Sequence, residues 1–112
     1  MTHGPPQSIL DLCADGNVGC SKLYNAVRKV RPLMHCFGHI HEGNGAIVKD
    51  WKAETTLTPQ PALEDDFTSN IRHVRPDIMR DQQTLMINAA IMDQDNRPAN
   101  APWLVDIRLP CV

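Results

Sequence analysis

Apolar residues first recur with a helical period between Asn17 and Val30. In NVGCSKLYNAVRKV, Cys20, Leu23, Val27 and Val30 fall on one 3.6-residue stripe, Asn17 suits the N-cap, and Arg28 and Lys29 favour the C-terminal end. Pro32 stops the helix. The mostly apolar run LMHCF (33–37) has strand length, and a buried strand after a helix predicts a β-α-β arrangement with a parallel sheet. GHIHEGNG reads as the loop leaving that strand. AIVKDW (46–51) reads as the next strand, with Ile47 and Trp51 on one face and Val48 on the other. From Ala53 to about Gln83 the period dissolves into Thr55, Thr56, Thr58, Pro59, Pro61 and the acidic patch Glu64, Asp65, Asp66. A span of that length without periodicity predicts a flexible insertion loop over 53–83. TLMINAAIM (84–92) is strand-like, DQDNRPANAP is a turn, and WLVDIRL (103–109) alternates as a half-buried final strand. The pattern is that of one α/β domain without internal repeats.

Composition narrows the function classes. With 112 residues, 42% hydrophobic, 21% charged and a formal net charge of -2, the chain has no electrostatic case for nucleic acid or an anionic membrane. No apolar run reaches membrane-spanning length, and MTHGPPQS has neither the charged start nor the apolar stretch of a signal peptide, so a cytoplasmic location is expected, with the nucleus as the open alternative. Cys13, Cys20, Cys36 and Cys111 form no C-x-x-C pair and read as reduced, small buried hydrophobes rather than zinc ligands.

The candidate chemistry lies in histidine. Two of the five histidines, His39 and His41, stand in CFGHIHEGNG directly after an apolar strand. Neutral imidazole is the commonest metal ligand, and Gly38 and Gly43 let the backbone bend so that both rings converge. Loops at the C-terminal ends of parallel strands are where α/β sheets carry their chemistry. His3, before Pro5 and Pro6, lies on a similar turn. Glu42 is read either as a carboxylate orienting a ligating imidazole or as a solvent-facing loop residue. His35 is expected as a core or sheet-face histidine, His73 as a solvated loop residue, and Glu64, Asp65 and Asp66 as a solvated loop.

These residues carry a resemblance. THGPP (2–6), followed about thirty residues later by FGHIHEG (37–43), resembles the last two motifs of the calcineurin-like metallophosphoesterases. The closer likeness is to a branch similar to class III cyclic nucleotide phosphodiesterases. It extends through Gly19, Cys20, Leu23, Val27, Pro32, His35, Phe37 and Gly38, and through INAA (87–90) and RPANAPWLVDIRLP (97–110). The resemblance implies the C-terminal half of a four-layer α/β/β/α sandwich, and 1–112 as a single partial domain. It implies two divalent metal ions (Mn, Fe or Zn), with His3 and His39 on one and His41 on the other. Some members of that branch have Gly at the position of His39. Two cations about 3.5–4 Å apart hold a hydroxide in line with phosphorus and neutralise developing charge, so the implied substrate is a phosphodiester or phosphomonoester.

The family's Asp-x-His, Gly-Asp and Gly-Asn-His motifs, which precede the histidine matching His3, have no counterpart here. The chain alone is therefore expected to hold one metal or none and to be inactive unless completed. Its expected partners are a phosphoester substrate, the missing N-terminal half, or a second copy of itself. Two alternatives stay open: a non-catalytic interaction fragment of the same fold, and a small protein holding one metal with all three histidines.

Overall fold

The computed structural model describes residues 1–59, 71–109 and 111, so Glu64, Asp65 and Asp66 lie outside the described residues. Its elements run β1 (Leu12–Cys13), β2 (Gly16–Asn17), α1 (Ser21–Val30), β3 (Met34–Phe37), β4 (Gly45–Asp50), β5 (Thr55–Leu57), β6 (Arg72–Val74), β7 (Gln83–Asn88) and β8 (Trp103–Val105). A single 3-10 turn, His41–Gly43, joins β3 to β4. The fold is mixed α/β, and among the described residues no helix is long and apolar enough to cross a membrane.

The main sheet has the order β3-β7-β4-β5, with β3 parallel to β7 and the other pairs antiparallel. Every residue of β7 is buried, which its TLMIN run explains: an apolar segment can be covered on both faces. Alternation then sorts two cores. Met86 packs with Ile9, Val27, Phe37 and Trp51 beneath α1, while Leu85 and Ile87 pack with Val48 against Trp103, Val105 and Ile107. Ile47 joins the first cluster and Val48 the second, as the alternation in AIVKDW predicts. The parallel pair β6–β8 forms a separate two-stranded ribbon, with Val105 on the Val48 side.

The helix starts later than its stripe suggests. Asn17 lies in β2 opposite Leu12, and the N-cap is Cys20, whose Sγ accepts from Leu23 N–H at 3.4 Å. Competing bonds set the boundary: Gly19 N–H donates to the Asp11 carboxylate and Cys20 N–H to the Pro5 carbonyl. Those amides are committed to the preceding turn, so helical geometry begins only at Ser21. The stripe is also narrower than expected. Val27 is buried and Leu23 partly so, whereas Val30 is 71% exposed. Arg31, at φ 50, caps the helix by donating its N–H to the Val27 carbonyl.

Within 53–83, where the sequence shows no period, the described residues place β5 and β6. Strands of three residues are too short to display a period. His73 lies in β6, not in a loop, and its Nε2 is 3.0 Å from Asp106 Oδ2. The Asp50 carboxylate accepts from Lys52 and Ala53 N–H and from the Gln82 and Gln83 side chains. Those bonds, led by Ala53 N–H, hold its pKa far below the ordinary carboxylate range. This knot turns β4 into the segment leading to β5.

Candidate functional site

The N-terminal residues line the outer edge of β3. Thr2 N–H donates to the Cys36 carbonyl and Gly38 N–H to the His3 carbonyl, so His3 is held at the level where β3 ends. Pro5 and Pro6 are buried behind it, and Cys20 N–H meets the Pro5 carbonyl. The Thr2 hydroxyl donates to the Gly4 carbonyl, leaving a lone pair for His35 Nε2–H at 3.1 Å. His35 is therefore the satisfied sheet histidine its context predicts. Burial, followed by the nearby N-terminal charge, lowers its pKa.

The loop after β3 brings His39 to His3. Ile40 N–H donates to the Gly38 carbonyl at 2.8 Å, and His39 between them has φ 70, so His39 is the apex of a γ-turn of the strained, positive-φ kind. His39 Nδ1 lies 3.1 Å from His3 Nε2, and the two exposed rings are 4.6 Å apart at 44°. Either one nitrogen donates to the other, or both lone pairs face a common electrophile. The rings border an open concavity of about 620 Å³ that also includes Cys36 and Phe37.

His41 goes elsewhere. It opens the 3-10 turn, and its Nδ1 is 3.0 Å from the Asp93 carbonyl. A carbonyl can only accept, so Nδ1 carries the proton and Nε2 is the nitrogen left for a ligand. His41 borders a separate groove of about 340 Å³ shared with Glu42, Asn44, Arg72, Asp93 and Asn100. Glu42 is exposed there, as a solvent-facing loop carboxylate would be. Arg72 donates to Asn44 Oδ1 and lies over the Trp103 ring. The backbone N–H of Arg97, foremost among several donors, lowers the Asp93 pKa.

The structure thus pairs His3 with His39 and separates both from His41. It also shows residues that motif reading missed: Asp93, whose carbonyl orients His41, and three asparagines around Ala90. Asn44 and Asn100 donate to the Ala90 carbonyl, and Asn88 Oδ1 accepts from Ala90 N–H. One signal was present in the sequence. Asn88 closes an apolar strand, and a polar group ending a buried run must find partners.

No family model matches the chain. The chain is 31% identical, over 113 aligned residues, to the human "Metallophosphoesterase domain-containing protein 1", covering 98% of this chain and 25% of that protein. The similarity supports a metallophosphoesterase family. A UPF0046 protein of Caenorhabditis elegans is 32% identical over 116 residues, again covering 98% of the chain and 30% of that relative. A shorter match, 49% over 53 residues, is to "Probable rhamnogalacturonate lyase C" of Emericella nidulans, covering 46% of the chain and 5% of that protein. The chain thus spans about a quarter of the human metallophosphoesterase-domain protein and under a third of the worm relative.

A metallophosphoesterase family implies divalent metals, and the donor set can be tested against that. Two imidazole nitrogens 3.1 Å apart suit neighbouring positions on one cation at bond lengths of about 2.0–2.1 Å. Among the described residues, however, no three His, Cys, Asp or Glu side chains form a group that could hold a metal. His3 and His39 fit as part of a centre. A complete centre, mononuclear or dinuclear, needs further donors.

Proposed function

We propose that this chain is the histidine-bearing part of a metal-dependent phosphoester hydrolase, in the branch resembling class III cyclic nucleotide phosphodiesterases. His3 and His39 serve one metal and His41 the other, in half of a four-layer sandwich. The observation that carries the reading is the His3–His39 pair. Residues 36 apart in sequence present ring nitrogens 3.1 Å apart at the end of a parallel strand. Nothing in hydrophobic packing requires two exposed imidazoles to meet there. When bound, Mn, Fe or Zn ions would supply charge neutralisation and an acidified water for attack on phosphorus. The chain's own part is positional. The β3 edge holds His3, the γ-turn holds His39, and the Asp93 carbonyl keeps the His41 proton on Nδ1. The substrate is a small phosphodiester or phosphomonoester, and the remaining donors come from beyond the described residues.

Cobalt(II) titration of the chain tests this reading, since imidazole coordination gives visible absorption bands. His3→Ala and His39→Ala are each expected to weaken Co2+ binding at least tenfold, while His73→Ala leaves it unchanged. Inorganic phosphate is expected to perturb the bands. Unchanged affinity in both pair variants would overturn the metal assignment, and bands indifferent to phosphate would overturn the phosphoester assignment.

A further inference from the structure

Strand β7 ends in Asn88, whose side chain has no exposure to solvent. Its hydrogen-bonding groups are all used. Nδ2 donates to the Leu10 carbonyl at 3.1 Å and to the Ile40 carbonyl at 2.8 Å, while Oδ1 accepts from Ala90 N–H at 3.1 Å. One carboxamide therefore ties together the turn after the buried proline pair, the histidine loop and its own strand end. Gly43 makes room for this. A Cβ there would collide with the Leu10 carbonyl and lie 2.9 Å from Asn88 Nδ2.

Ile40 stands between the two histidines. On one side its N–H closes the γ-turn onto the Gly38 carbonyl; on the other its carbonyl accepts from Asn88 and from Gly43 N–H at 3.2 Å. A non-glycine residue at φ 70 in a γ-turn is unfavourable in isolation and persists only where its surroundings over-determine it. We propose that Asn88 is the positioning residue of the histidine pair: by holding the Ile40 carbonyl it keeps His39 in the strained turn and its ring against His3. The functional weight of this rests on the metal reading above, but the geometric claim does not. Asn100 does a different job. Its side chain braces the turn after β7 by donating to the Ala90 and Met92 carbonyls, not to the Ile40 carbonyl.

The test compares Asn88→Ala with Asn100→Ala in the metal-free chain by NMR. Rings 4.6 Å apart give nuclear Overhauser contacts between His3 and His39. Both variants are expected to lower the melting temperature, but only Asn88→Ala should lose the inter-ring contact and shift the Gly38 to Ile40 amides. Should Asn88→Ala not fold, adding His39→Gly, which removes the strain at φ 70, is expected to restore folding. The proposal is overturned by a folded Asn88→Ala that keeps the contact, by its equal loss in Asn100→Ala, or by a double variant that stays unfolded. Because no metal is present, an intact pair that fails to bind Co2+ would count against the metal reading alone.

Discussion

Gly43→Ala probes how closely the histidine loop is seated. The added Cβ would meet the Leu10 carbonyl oxygen well inside van der Waals contact, and would sit 2.9 Å from Asn88 Nδ2. Neither neighbour is the free end of a flexible side chain, because Asn88 is pinned by three hydrogen bonds. The loop and the Leu10 turn must therefore separate. Overpacking of this kind costs about 1–3 kcal/mol. Breaking the Asn88–Leu10 bond leaves a buried group unpaired, for roughly 1–3 kcal/mol more. Partial relief of one cost by the other gives about 2–4 kcal/mol in all. At about 4 °C per kcal/mol for a domain near this size, the melting temperature should fall by about 8–16 °C. Gly4→Ala is the matched control, since a Cβ there meets nothing within 4 Å, and it should lie within about 0.5 kcal/mol of the parent. Urea denaturation of the three proteins decides. If Gly43→Ala costs no more than Gly4→Ala, the loop is not seated as described.

Further predictions concern charge and core. The pKa of His35 is lowered, so the folded state resists its protonation. Stability should therefore be full above about 6.5, decline as pH falls below it, and decline less in His35→Gln when urea midpoints are compared across pH. Asp50, whose pKa is also lowered, acts lower on the scale: its contribution is present above about 3.8 and lost as pH falls through its depressed folded value. Asp50→Asn should flatten that acid limb. Leu85→Ala, at a fully buried site, should cost about 2–5 kcal/mol, whereas Leu104→Ala, at 49% exposure, should cost about 0.5 kcal/mol, both by urea denaturation.

Much of the sheet was legible because its strands differ in apolar pattern. TLMIN is apolar enough to be the central strand, and AIVKDW alternates across two cores. What was hidden depended on partners distant in sequence. The start of α1 is set by Asp11 and Pro5 taking the Gly19 and Cys20 amides, which no local propensity could announce. The strand β6 is three residues stabilised by pairing with β8, about thirty positions on. In the candidate site, the glycine-flanked setting of His39 and His41 marked them as candidates. The expected convergence of His39 and His41 was not what the fold produced.

The reason lies in the turn. An H-x-H pair in an extended strand places both rings on one face, and glycines on either side would allow a loop to aim them together. Here the loop spends its curvature at His39 itself. The γ-turn, closed by Ile40 N–H on the Gly38 carbonyl, brings the His39 ring to His3 at the β3 edge. The chain then enters a 3-10 turn, in which His41 meets the Asp93 carbonyl. Two histidines two residues apart thus serve two places, and the partner of His39 is supplied from the other end of the motif pair. The two rings accordingly border different concavities, the His39 ring beside His3 and His41 beside Asp93. The same geometry argues against all three histidines sharing one metal. His41, with Nδ1 on the Asp93 carbonyl, borders a different concavity from the pair, and among the described residues no three His, Cys, Asp or Glu side chains form a group that could hold a metal.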